Sequence, residues 1–208
     1  MSNVVCVEHP LMEHSLTILR DKHTDTESFR HHAGIVSQIM VITATSDIPM
    51  TEKQIETPLA EMTGHHILHS VVFVPVLRAG ISMLFPARNF LPWAPVGFIG
   101  LERDEATAIA REYYQKFPKN LKDKQVLVLD PMLATGGSLV DTIDALKKKG
   151  AVSIAAVCIV AAPEGIELLS QKHPDVRIYT AAIDSHLNEF KYIVPGLGDF
   201  GDRYFGTL

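Results

Sequence analysis

Five short apolar runs recur along the chain, each separated from the next by enough residues to hold a helix. They are Val71–Val76, Val96–Leu101, Val126–Leu129, Ile154–Val160 and Ile178–Ile183. All are rich in β-branched residues and apolar at successive positions, the pattern of strands buried on both faces of a parallel sheet. Between them the period changes. Leu139–Lys149 carries Val140, Ile143 and Leu146 on one face, lysines at its negative end and Gly150 as a stop. Pro163–His173 opens on proline, has Glu164 in its first turn and ends before Pro174. The strand–helix rhythm recurs without any repeat of sequence. It predicts an α/β fold: an open, mostly parallel β-sheet flanked by helices.

Three segments fall outside that rhythm. Ser15–Thr45 reads as one or two helices, with Ile35, Val36, Ile39 and Met40 at helical spacing for core or subunit contact. Thr43–His69 contains a polar, partly alternating stretch that predicts a hairpin or flap beside the ligand pocket. The tail Tyr192–Leu208 crowds four glycines and two aspartates among apolar residues, and reads as a shaped loop that is neither strand nor helix. The expectation is one domain over residues 1–208, with a small hood made by the terminal segments and the hairpin.

Composition narrows the class. The chain has 208 residues, 47% hydrophobic and 21% charged, enough for one well-packed domain and unlike a disordered chain. A net charge of −5 with scattered basic residues argues against nonspecific nucleic-acid binding. The N-terminal stretch has no basic and apolar leader pattern, and no run approaches the ~18 apolar residues of a membrane span. A cytoplasmic location without a membrane partner is expected. Cys6 and Cys158 have no partner spacing for zinc or a redox pair. The ten histidines, including His31-His32 and His65-His66, have no metal-ligand company and are read as solvated or packing residues.

The candidate chemistry lies in Val126–Ser138, VLVLDPMLATGGS, where an apolar strand runs into a carboxylate and then Thr135-Gly136-Gly137-Ser138. Two glycines let consecutive amides turn inward, Thr135 and Ser138 add hydroxyls, and the following helix presents its positive end, which makes a cradle for a phosphate monoester. Asp130 would repel a phosphate, so it suits sugar hydroxyls or water held by a metal. An acid beside a phosphate nest points to a ribose 5-phosphate. An ordinary strand-to-helix turn would use the same Gly-Gly-Ser. Walker A is excluded, because Ser138 follows the last glycine where lysine would be needed. Gly196-x-Gly198-x-x-Gly201 has dinucleotide-motif spacing but no room for a following βαβ unit, and reads as loop.

Two more strand ends carry charge. Val76-Leu77-Arg78-Ala79-Gly80 offers a fixed cation and small residues that let backbone approach a second phosphate group. Arg103, after Leu101-Glu102, does the same or is half of a surface ion pair.

These segments resemble the uracil phosphoribosyltransferases. The likeness rests on VLRAG at 76–80, DPMLATGGS at 130–138, AAPEGI at 161–166, HPDV at 173–176, YIVPGLGDFGDRYFGT at 192–207 and an HPL near the start, and so spans nearly the whole chain. Type I phosphoribosyltransferases in general carry two adjacent acids in the ribose-phosphate loop. Here Pro131 follows Asp130, as in the uracil branch. The resemblance implies transfer of the phosphoribosyl group from 5-phosphoribosyl 1-diphosphate to uracil. It implies that Arg78 and Arg103 bind the diphosphate side, Arg103 with a catalytic part. Asp130, Pro131, Met132, Leu133, Ala134, Thr135, Gly136, Gly137 and Ser138 would bind the ribose 5-phosphate. Asp199 would bind the same substrate near its reacting carbon, as a second catalytic residue. Ile193, Gly198, Asp199 and Phe200, in a base-binding loop over 192–208, would hold uracil. Magnesium carried mainly by the substrate, a homo-oligomer (dimer or tetramer) and a GTP effector are further implications. Two alternatives stay open: a nucleotide-sensing, RNA-binding regulator of the same fold, which would want a basic face, and a purine phosphoribosyltransferase with a different base pocket.

Overall fold

The computed structural model describes residues 3–68, 70–103 and 110–207, with the side chains of 102, 103 and 110–112 outside the description. The chain begins with β1 (Val4–Cys6), α1 (Pro10–Arg20) and α2 (Thr26–Ala44), then forms a hairpin of β2 (Met50–Glu56) and β3 (Glu61–Ile67). β4 (Val71–Leu77), α3 (Ile81–Phe90), β5 (Phe98–Arg103) and β6 (Ala110–Lys116) follow. Next come β7 (Gln125–Leu129), β8 (Met132–Leu133), α4 (Gly137–Lys148), β9 (Ser153–Ala161), α5 (Pro163–Lys172) and β10 (Arg177–Ile183). The chain closes with β11 (His186–Leu187), β12 (Ile193–Val194) and α6 (Phe200–Phe205).

The main sheet runs in the order β1-β10-β9-β7-β4-β5-β6, with β8 also on β9. Every pairing in it is parallel except β5 with β6. All five predicted runs are strands of this sheet, four of them at its centre, and the open parallel architecture is the expected one.

Apolar residues on both faces of each central strand feed two separate cores. Phe73, Leu127, Leu129, Val157 and Ile159 meet α1, α2, α3 and Phe200 on one side. Val72, Val74, Val126, Val128, Ala156 and Cys158 meet α4 and α5 on the other. Alternate residues of one strand thus serve opposite cores, which is why the runs show no polar alternation.

The segment after α2 is the expected hairpin, paired from Met50–Ile67 to Glu56–Glu61, and its positions are almost all exposed. The tail departs from the sequence reading. It holds a short strand, β12, antiparallel to β11, and a helical turn, α6, anchored by Phe200. Phe200 is buried edge-on against Phe29 with ring centroids 5.1 Å apart, a contact 171 residues apart in sequence that local patterning does not reveal. Among the described residues, no helix is long and apolar enough to cross a membrane.

Candidate active site

Three adjacent strands, β7, β4 and β5, bring their carboxyl ends to one rim, where open α/β sheets bind ligands. Arg78 directly follows β4, Arg103 ends β5 and Asp130 follows β7. The Arg103 side chain lies outside the described residues. The other two line one cavity of about 270 Å3.

One wall of that cavity is the predicted phosphate cradle, Met132–Ser138. Gly136 takes a left-handed conformation (φ 86°) and caps α4, so the helix begins at Gly137, two residues earlier than the apolar spacing predicts. Its first-turn amides therefore belong to the cradle, and the positive end of a three-turn helix faces the cavity. Pro131 lies behind the rim. Its carbonyl accepts from Ile159 and Val160 N–H at 2.9 and 3.0 Å, tying the loop to β9. The opposite wall is the Leu77–Ala79 turn, whose Leu77–Arg78 peptide is cis. Gly80 closes this turn, donating to the Val76 carbonyl at 2.8 Å, and a Cβ on it would come within 2.3 Å of the Leu129 carbonyl oxygen. Only glycine fits there.

Asp130 lines the cavity and is half-buried, most of its surface covered by protein. Burial pushes its pKa up to about 7, and the Met132 N–H opposes this only weakly across a long 3.5 Å contact. The neighbouring Cys158 thiol is pushed up as well, by burial first and then by the charge of Asp130. Both shifts follow from loss of contact with water. Among the described residues no three His, Cys, Asp or Glu gather into a metal-binding group.

A second cavity, of about 400 Å3, opens beside the first. It is lined by the tail residues Ile193, Gly198, Asp199 and Phe200, with Tyr192 and Gly201 of the same predicted loop and Lys191 just before it. The two cavities share Arg78, Ala79, Leu101, Met132 and Ala134, so they form one cleft with two lobes. None of the hairpin residues 50–67 lines either lobe.

In the second lobe the tail presents the exposed residues Lys191, Tyr192, Gly198 and Asp199. Ile193 and Phe200 have buried side chains, and Asp199 is the N-cap of α6, accepting from Asp202 N–H at 2.8 Å. Its loop is held by side chains that the sequence reading gave no role: Arg20 and Asp184, which lie in no motif, and Arg203 of the tail motif bond to the main chain at Gly196 and Leu197. The only hint in the sequence is that Arg20 ends a helix and Asp184 follows a strand. Their partnership is not legible in one dimension.

Comparison with known proteins agrees with this geometry. The family profile described as uracil phosphoribosyltransferase matches residues 5–207. The uracil phosphoribosyltransferase of Levilactobacillus brevis is 50% identical over 208 residues, all of both chains. A solved protein from Aquifex aeolicus superposes with a TM-score of 0.93 at 37% identity, covering 97% of each chain. A crystal structure of a hypoxanthine phosphoribosyltransferase from Staphylococcus aureus superposes with a TM-score of 0.51 over 76% of each chain, at 12% identity, and shares the fold.

Proposed function

The chain belongs to the uracil phosphoribosyltransferase family, and from that premise we propose that its two-lobed cleft transfers the 5-phosphoribosyl group of 5-phosphoribosyl 1-diphosphate to uracil, giving uridine 5′-monophosphate and diphosphate. The observation that carries this assignment is the shared wall. A phosphate cradle and a pocket walled by the tail meet at Arg78, Ala79, Leu101, Met132 and Ala134, where a sugar joining the two ligands would lie.

In this reading the cradle from Ala134 to Ser138 takes the 5-phosphate through main-chain amides, hydroxyls and the α4 terminus. Asp130 accepts hydrogen bonds from the ribose hydroxyls, a role its raised pKa suits once nearby cations draw the proton away. Arg78 and Arg103 neutralise the diphosphate as the bond from C1 of the ribose to the leaving oxygen breaks. Uracil N1 attacks an oxocarbenium-like carbon from the tail side, so positioning and leaving-group electrostatics supply the acceleration and no covalent nucleophile is required. Asp199, on the wall of the tail lobe, would bind the same donor near that carbon.

Magnesium fits the donor set present. The Asp130 carboxylate at the cavity suits an ion that arrives on substrate phosphates and borrows this ligand from the protein. When bound, it would draw charge from the leaving diphosphate. The same reading includes a cytoplasmic homo-oligomer and a GTP response, checked by sedimentation with and without GTP.

The deciding assay supplies 5-phosphoribosyl 1-diphosphate and magnesium with each base in turn, and follows nucleotide and diphosphate. Stoichiometric uridine monophosphate from uracil is expected. Product from hypoxanthine or guanine but none from uracil would overturn the assignment.

A further inference from the structure

The main chain between β12 and α6 is gripped by charged side chains from distant parts of the fold. Gly196 is held at both of its polar groups: its N–H donates to Asp184 Oδ2 at 2.8 Å, and its carbonyl accepts from Arg20 Nη1 at 2.8 Å. Arg20 and Asp184 are themselves joined by two bonds, Nη1 to Oδ2 at 2.8 Å and Nη2 to Oδ1 at 2.7 Å. The pair is largely enclosed, with side-chain exposures of 26% for Arg20 and 5% for Asp184. Arg203 adds a third hold, donating to the Leu197 carbonyl at 2.7 Å and to the carbonyls of Leu19 and Asp21 at the end of α1. The loop is thereby pinned to the carboxyl end of β10 and to the last turn of α1.

An enclosed ion pair is a poor device for stability alone, because desolvation offsets much of its attraction. Apolar anchors are already present, since Ile193 and Leu197 are buried on either side of Gly196. What the charged pair adds is direction. Two partners, each bonded once to Gly196 and twice to one another, fix the rotation of the peptide planes on both sides of it, within three residues of Ile193 and two of Gly198.

We propose that Arg20 and Asp184 are positioning residues for base recognition. They touch no substrate but orient the main-chain donors and acceptors that accept uracil and refuse cytosine. This rests on the reading that the tail lobe holds the base. A pocket that reads a base through hydrogen bonds discriminates only while its own groups cannot turn to suit the wrong one.

The test compares wild type with Arg20→Gln, Arg20→Lys and Asp184→Asn, varying uracil, cytosine and 5-phosphoribosyl 1-diphosphate separately and recording thermal midpoints. For Arg20→Gln and Asp184→Asn the KM for uracil should rise about 10-fold or more, with the donor KM within about 2-fold. The preference for uracil over cytosine should shrink by about 10-fold or more in the same two variants. Arg20→Lys keeps the charge and one donor and should recover part of the loss. If Arg20→Gln does not accumulate folded, Arg20→Lys carries the test, with a rise of about 3-fold in the uracil KM alone. Equal changes in both KM values, or a lowered midpoint with base preference unchanged, would make the pair purely structural and overturn the proposal. Wild type that ignores uracil would instead remove the base reading itself, and this inference with it.

Discussion

A Cβ built on Gly165 would stand 2.3 Å from the carbonyl oxygen of Ala134, well inside van der Waals contact. Gly136 answers it from the other side: its own Cβ would lie 2.9 Å from the Gly165 carbonyl oxygen, and its φ of 86° is one that side chains rarely adopt. The first turn of α5 therefore presses directly on the phosphate cradle, backbone against backbone. Gly165 helps to form a site whose ligand it does not face.

Replacing Gly165 with alanine should displace the Ala134–Ser138 main chain while leaving the tail residues that line the second lobe in place. The expected outcome is a rise in the KM for 5-phosphoribosyl 1-diphosphate of ~10-fold or more, with the KM for uracil little changed. Overpacking at such a contact costs ~1–3 kcal/mol of stability. Unchanged donor kinetics would mean that α5 can withdraw without disturbing the cradle.

Asp130→Asn separates activity from stability. Burial raises the pKa of Asp130 in the folded chain to about 7, above the usual carboxylate range near 4. An acid whose pKa is raised by folding favours the fold while it is protonated. That contribution is present below about pH 4 and is lost as pH rises through about 7. Asparagine escapes this loss, so at pH 8 the variant should melt above wild type by a margin that narrows towards pH 4, each pKa unit being worth ~1.4 kcal/mol. Activity should fall ~10²-fold or more, as for removal of one electrostatic contact. Scanning calorimetry across that pH range checks the sign, and a wild type more stable than the variant at pH 8 contradicts it.

The legible parts of this fold are those written locally. The central strands announce themselves because both faces are buried, and the cradle because its glycines, hydroxyls and acid are contiguous. β6 is less legible, being a polar antiparallel edge strand with exposed Tyr113 and Tyr114 and none of the continuous apolar run of a central strand. α3 carries Pro86 in its interior, which masks the helical pattern. α6 is six residues long and depends on Phe200 meeting Phe29, so no local period betrays it. The same limit applies in the site. Arg78 and Asp130 lie in contiguous motifs, whereas Arg20 and Asp184 are 164 residues apart and acquire meaning only when the sheet and α1 bring them together.

Asp199 carries two duties that a pair of substitutions can divide. Its Oδ1 accepts the Asp202 N–H at 2.8 Å and caps α6, while the residue also lines the base lobe. Asparagine is as good a cap as aspartate, but alanine is not, and losing a cap costs ~1 kcal/mol. Asp199→Asn should therefore keep the thermal midpoint and lose activity, and Asp199→Ala should lose both. If the asparagine variant retains full kcat/KM, the carboxylate serves the helix and not the substrate.

The base lobe should read uracil chiefly through main chain. Uracil sets an N3–H donor between two carbonyl acceptors, a pattern that fixed backbone groups around Ile193 and Gly198–Phe200 can match. The side chains support this division, since Ile193 and Phe200 are turned into the core. Cytosine inverts part of the pattern, its amino group and unprotonated N3 facing the wrong partners and leaving buried groups unpaired. Rejection by ~10⁴ or more in kcat/KM is expected where the site hydrogen-bonds the feature that differs. A methyl at C5 tests shape alone and should cost ~1–3 kcal/mol. Parallel kcat/KM measurements with uracil, 5-methyluracil and cytosine distinguish the two effects. Cytosine used as readily as uracil would remove the tail from base recognition while leaving the phosphate cradle untouched.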